Sequence, residues 1–148
     1  MTEQIPFSIF VDIEPRFRDT DAMGHVNNAV YISYLEVGRQ QYWKQFGPKQ
    51  PYNRVPFVMA HLDVSFRSPA HVGEVLRVSL RTSWVSRSSF GMDYEIRVLG
   101  DDRLVLEAQT TQVTYDWKTD GSMPVPEELR TGLERIEGRS LPGRPSSS

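Results

Sequence analysis

Ala29-Val-Tyr-Ile-Ser-Tyr-Leu-Glu-Val-Gly-Arg-Gln-Gln-Tyr-Trp-Lys-Gln-Phe46 is the one long stretch of this 148-residue chain whose apolar positions recur at helical spacing. Tyr31, Tyr34, Leu35, Gly38, Tyr42 and Phe46 fall on one side of a 3.6-residue repeat. Asn27 or Asn28 stands where an N-cap belongs, and Gly47 with Pro48 supplies the stop. A single helix of this length has to bury its apolar side against something, and the rest of the chain offers mainly strands.

On either side of the helix the period changes to two. Phe7, Ile9, Val11 and Ile13 alternate with mostly polar residues until Pro15, which predicts a first strand. After a Pro-rich loop, Val58, Ala60, Leu62, Val64 and Phe66 share one face and Met59, His61, Asp63, Ser65 and Arg67 the other. Leu76 to Trp84 and Phe90 to Val98 predict a third and a fourth strand, joined through Arg87-Ser88-Ser89. Gly100-Asp101-Asp102 turns the chain again. Leu104 to Trp117 predicts a fifth strand, whose apolar side moves from even to odd positions near Thr111, as a bulge or a two-sided burial would require. The order predicts an α+β domain in which one long helix covers one face of a five-stranded antiparallel sheet. A short helix over Glu127 to Ile136 closes a single domain of residues 1–136. The segment 137–148, rich in Pro, Gly and Ser after Leu141, reads as a flexible tail.

Composition narrows the function classes. The formal net charge of −2 gives no general attraction to polyanions, so nucleic acid is not an expected partner. The absence of cysteine removes disulfides, thiolate metal sites and a Cys nucleophile together. It also fits a reducing, cytoplasmic setting. Met1 to Gln4 carries an acid where an export signal would be basic, and no apolar run approaches the roughly 20 residues that span a bilayer, so no membrane association is expected. Gly-x-Ser-x-Gly, Walker and dinucleotide-binding patterns are all missing.

The chemistry-bearing residues concentrate between the first strand and the helix, in Arg16-Phe-Arg-Asp-Thr-Asp-Ala-Met-Gly-His-Val-Asn-Asn-Ala-Val-Tyr31. A loop that enters a helix brings free backbone N–H groups and the positive end of the helix dipole to one place, where developing negative charge is stabilised. A carboxylate just upstream would face that place as a general base or nucleophile. The plain alternative is structural, since Asp19, Asp21 and Asn27 are ordinary capping residues and Gly24 an ordinary turn residue. His25 has little capping value and reads either as a loop histidine bonded to a carbonyl or as a donor to substrate. Asp19, Asp21 and His25 are all possible metal ligands, but His61 and His71 complete no familiar ligand spacing with them, so no metal or other cofactor is expected.

Asp19-Thr-Asp-Ala-Met-Gly-His-Val-Asn-Asn-Ala-Val-Tyr31, followed by Tyr34-Leu-Glu-Val-Gly-Arg39, resembles the signature of the 4-hydroxybenzoyl-CoA thioesterase-like branch of the hotdog-fold thioesterases. Asp63-Val-Ser-Phe-Arg-Ser-Pro-Ala-His-Val-Gly-Glu74 is similar to the family's second-to-third strand junction. The resemblance implies a curved sheet wrapped around the helix and pairing into homodimers or homotetramers, with the acyl-CoA site at a subunit interface. It further implies that Asp21 is the nucleophile or general base and that N–H groups near Asn27 and Asn28 bind the thioester oxygen, with His25 positioning it. On that reading Arg87, Ser88 and Ser89 are candidates for the CoA phosphates, and Tyr31, Tyr34 and Met59 for the acyl pocket. The rival readings are a non-catalytic acyl-CoA binding or sensor domain, an acyl-carrier-protein thioesterase and a hotdog dehydratase.

Overall fold

A computed structural model describes residues 6–47 and 57–146. The Pro48 stop signal and the Pro-rich loop lie outside the described residues. Five long strands and two helices follow in chain order: β1 (Ile9–Ile13), α1 (Asn28–Trp43), β2 (Phe57–Phe66), β3 (Leu76–Val85), β4 (Ser89–Val98), β5 (Leu104–Asp116), a two-residue β6 (Gly121–Ser122) and α2 (Glu127–Glu137). The sheet order is β1-β3-β4-β5-β2, with β6 added on β5, and every pairing is antiparallel. One long helix on one curled sheet is the hotdog arrangement that the loop signature implied.

Most of the apolar rows predicted from the period of two form the helix-facing side of the sheet; Trp84 and Val58 do not, because register shifts after Thr82 and Met59 set them opposite Gly91 and Val113 on the other face. Leu80, Tyr94, Ala108 and Val64 stand in register across β3, β4, β5 and β2, and Leu35, Tyr42 and Leu80 have no exposed surface. Gly38 decides how closely α1 lies on the sheet. A Cβ there would sit 3.0 Å from Val78 Cγ1 and 3.4 Å from Leu80 Cδ2, so only hydrogen leaves room for the packing seen.

α1 runs antiparallel to β2. Near its start, the Tyr31 ring lies 5.9 Å from Phe66, and at its end Trp43 lies 4.8 Å from Phe57, centre to centre. The N-terminus of α1 therefore sits at the end of the sheet where β2 leaves and β3 begins. Asn27 is the N-cap, its side-chain oxygen accepting the Ala29 N–H at 2.9 Å. At the far end α1 tightens into a 3₁₀ turn, Lys44–Phe46, which Gly47 terminates at φ +90°.

Two local readings are corrected. β5 does not change sides near Thr111: Leu106, Ala108, Thr110, Gln112 and Thr114 are all buried, so its even positions face inward from Leu106 to Thr114. The apolar letters that suggested a switch, Val113, Tyr115 and Trp117, lie on the other face, where Tyr115 stacks on Trp117. At that level the irregularity is in β2, as a register shift between Met59 and His61 opposite Thr111 and Gln112, and β5 has its own at its start, where Ile96 and Arg97 oppose Leu106 and Leu104. It moves Met59 onto the side of Leu62, against the strict alternation expected.

α2 spans one residue more than predicted, and its Glu137 carboxylate joins three elements by accepting Ser8 Oγ–H, Tyr42 O–H and Thr82 N–H at 2.8, 2.6 and 3.0 Å. Part of the segment expected as a flexible tail packs back on the domain. Leu141 is buried, and the Pro142 carbonyl accepts the Val85 N–H at 2.9 Å. No described helix is long and apolar enough to cross a membrane.

Gly38→Leu is expected to force α1 off Val78 and Leu80 and to destabilise the chain by about 1–3 kcal/mol, read as a lowered midpoint in urea unfolding with the slope unchanged.

Candidate active site

The residues entering α1 are held by two aspartates that do different work. Arg16 to Asp19 form a 3₁₀ turn in which the Asp19 carboxylate accepts the Arg16 backbone N–H at 3.0 Å and the Arg16 Nη2 donor at 3.1 Å. It also accepts the Tyr34 hydroxyl from α1 at 2.7 Å. Asp19 is 4% exposed. Burial alone would push its carboxyl up, but the Arg16 N–H, the Arg16 guanidinium and Tyr34 O–H outweigh it and bring it down to about 2. The same contact, with burial, pushes the Tyr34 hydroxyl well above the usual phenol range.

Asp21 follows in a loop that folds back on itself. Its N–H donates to the His25 carbonyl at 2.8 Å, its carbonyl accepts the Gly24 N–H at 3.0 Å, and Thr20 bridges to Val26. Gly24 takes φ +81°, a left-handed conformation costly for any residue with a Cβ. One carboxylate oxygen, Oδ1, accepts the Met23 and His25 N–H groups at 2.8 and 3.2 Å. Among the described residues nothing donates to Oδ2, and the side chain is exposed. Asp19 is thus saturated and Asp21 half free, although their local sequences look alike.

The loop is docked on the β2–β3 junction. The Val26 N–H donates to the Ala70 carbonyl at 2.9 Å, and the Ala70 N–H returns to the Tyr31 hydroxyl at 3.0 Å. His25 bridges to His71, and their rings meet edge to face with centres 4.9 Å apart.

The structure brings some of the expected site residues together and separates others. Asp21, His25, Asn27 and Asn28 share one loop and one helix start. Of the two expected oxyanion donors, the Asn27 N–H is already committed to the Asp19 carbonyl at 2.9 Å. The Asn28 N–H has no acceptor among the described residues and is the donor left at the first turn. Tyr31 is buried with its hydroxyl engaged on Ala70, which makes it a core residue rather than an open pocket wall. Tyr34 is likewise spent on Asp19. Met59 is 42% exposed on β2. Arg87, Ser88 and Ser89 are not near Asp21 in the same chain. Their hairpin adjoins Phe90, which packs on Trp43 at the C-terminal end of α1, and the 16-residue helix separates them from the loop by about 24 Å. The sequence reading missed the Asp19–Tyr34 bond and the contact of His25 with His71, both made between segments distant in the chain. Among the described residues no group of three or more His, Cys, Asp or Glu side chains is placed to hold a metal ion.

The family model described as the Thioesterase-like superfamily matches residues 15–133. Over 129 residues the chain is 26% identical to the long-chain acyl-CoA thioesterase FadM of Escherichia coli, a match covering 84% of this chain and 96% of that protein. It is 30% identical over 116 residues to the chloroplastic acyl-acyl carrier protein thioesterase ATL3 of Arabidopsis thaliana, covering 75% and 61%. A thioesterase from Thermus thermophilus, solved in complex with coenzyme A and Zn, superposes with a TM-score of 0.83 at 31% identity, over 91% of this chain and 98% of that one.

The depressed Asp19 carboxyl fixes a pH dependence. Its folded value of about 2 lies below the ordinary 3.8, so the stability it contributes is complete above the ordinary value and is lost as pH falls through about 2. Thermal unfolding followed between pH 6 and pH 2 is expected to show a steeper acid loss in the wild type than in Asp19→Asn, which should be less stable near neutrality.

Proposed function

Because the chain belongs to the thioesterase-like superfamily and is a thioester hydrolase, we propose that its substrate is an acyl-CoA, cleaved to free acid and CoA by Asp21 at the opening turn of α1. The observation that carries this reading is the contrast between the two aspartates. Asp19 accepts from Arg16 and Tyr34 through both oxygens, whereas Asp21 is steadied through one oxygen and is exposed.

In this scheme a thioester carbonyl lies between Asp21 Oδ2 and the Asn28 N–H. The carboxylate either attacks the carbonyl carbon, giving a mixed anhydride that water opens, or takes a proton from a water that attacks. Both routes pass through a tetrahedral oxyanion, expel CoA as its thiolate and end in the same acid. The oxyanion is met by the Asn28 N–H and the positive end of α1. One such donor contributes about 2.7–4 kcal/mol, and a positioned base about 10²–10⁴-fold. His25, fixed beside Asp21 by its own N–H, orients the carbonyl. In a single-turnover reaction in H₂¹⁸O, an unlabelled first product with label left in Asp21 marks attack by Asp21 followed by opening of the anhydride at the Asp21 carbon, whereas direct attack by water labels the product and leaves Asp21 unlabelled.

Acyl-carrier-protein thioesters are the second substrate reading, favoured by the likeness to ATL3. CoA and carrier-protein thioesters of one acyl group, compared at equal concentration, decide between them.

The Arg87–Ser89 hairpin reaches such a site only if it comes from another copy of the chain. β2 is an outer strand of ten residues whose second side is unpaired among the described residues, an edge able to add a second copy. A cytoplasmic homodimer or homotetramer, with the site shared across copies, accommodates both features.

Asp21→Asn keeps the shape of the side chain and removes its basicity, so CoA release is expected to fall by about 10²-fold or more; a wild-type rate overturns the assignment. Arg87→Glu is expected to raise KM several-fold with kcat little changed, measured over a range of acyl-CoA concentrations.

A further inference from the structure

Resting on the reading that His25 orients the thioester, we propose that His71, with its proton placed by Glu74, is the positioning residue that sets the direction of the His25 ring. The two imidazoles meet at 4.9 Å with their planes at 74°, and their backbones form an antiparallel bridge. His71 is held from behind. The Glu74 carboxylate accepts the His71 backbone N–H at 2.8 Å, and the same oxygen lies 3.2 Å from Nδ1. Gly73, at φ +96°, makes the reversal that returns Glu74 onto His71. Glu74 is clamped in turn by Arg103, whose Nη2 lies 3.1 and 2.9 Å from its two oxygens and donates to the Pro69 carbonyl at 3.1 Å.

Burial pushes the Glu74 carboxyl up, but the His71 N–H and Arg103 outweigh it and hold it below the usual carboxylate range. A carboxylate only accepts. The hydrogen of the Glu74 contact therefore sits on His71 Nδ1, and Nε2 of the neutral ring is left as an acceptor. The contacts run from Arg103 through Glu74 and His71 to His25, and end in the loop where Asp21 Oδ1 takes the His25 N–H. An active-site ring steadied by a neighbour that is itself steadied by a carboxylate is the same logic by which a base is oriented for nucleophilic catalysis. The docking of the loop does not depend on these side chains, because the bonds between Val26, Ala70 and Tyr31 involve the backbone of residues 26 and 70 and the Tyr31 hydroxyl.

Two measurements test the inference. The chain has three histidines, and ¹⁵N NMR of their rings in the wild-type protein is expected to show neutral His71 protonated at Nδ1; protonation at Nε2 overturns it without any variant. CoA release is then compared for His25→Ala, His71→Phe, Glu74→Gln and the Glu74→Gln/His25→Ala pair. His71→Phe and Glu74→Gln should each lower kcat about tenfold, as a slight misplacement of substrate does, with KM unchanged. Glu74→Gln should cost nothing further once His25 is alanine. Unchanged kcat in both single variants beside an impaired His25→Ala overturns the inference alone, as does full multiplication of the losses in the pair. A fully active His25→Ala removes the orienting role of His25 and this inference with it, and leaves Asp21 to be judged by Asp21→Asn.

Discussion

The hydrogen bond from the Tyr34 hydroxyl to the buried Asp19 carboxylate is the constraint on which the rest of the site depends. It ties the loop before α1 to the helix itself, so loop and helix cannot move independently. A buried carboxylate is costly unless its lone pairs are met, and here Arg16 and Tyr34 meet them from two directions. With Asp19 fixed, its carbonyl takes the Asn27 N–H, and Asn27 is set as the N-cap. The first turn of α1 then has its orientation, and Asn28 N–H is the donor it presents.

Seen this way, the two aspartates divide one task. A carboxylate that accepts many hydrogen bonds is a good anchor and a poor base, because those bonds stabilise the charged form and hold back the lone pairs that chemistry would use. Among the described residues Asp21 receives only the two N–H groups that a tight loop turns inward, and both fall on one oxygen. The anchor and the carboxylate proposed to react stand two residues apart because a short loop must both pin itself down and leave one carboxylate open at the helix mouth.

Helix and strands were legible because each rests on a period that survives without tertiary context: 3.6 for Tyr31 to Phe46 and two for Leu76 to Val98. The loop was legible because it gathers residue types that caps, turns and catalysis all need. What the sequence hid depends on where segments meet. Counting apolar letters could not tell that Val113 and Tyr115 face away from α1, nor that β2 slips its register at Met59 and His61. It could not choose between the N–H groups of Asn27 and Asn28, since the choice is made by the Asp19 carbonyl. Nor could it see that the Arg87 hairpin lies at the far end of α1, or that a Pro- and Ser-rich tail buries Leu141.

The surface around the loop carries the last step. Phe17, Met23 and Phe66 are 86%, 76% and 46% exposed, and all three border the end of the sheet that holds Asp21. Single exposed apolar side chains need no explanation, but several around one reactive group, beside the unpaired edge of β2, mark a surface that favours being covered. Hydrolysis of a thioester also gains from a dry site, where the Asn28 donor and the dipole of α1 act without competition from water. In the single chain Asp21 faces solvent. Under the proposed pairing, a second copy set along β2 would cover Phe66, lower the dielectric at this end of the sheet and bring a far-end hairpin toward the loop, which gives the apolar rim beside β2 and the separated Arg87 one physical explanation.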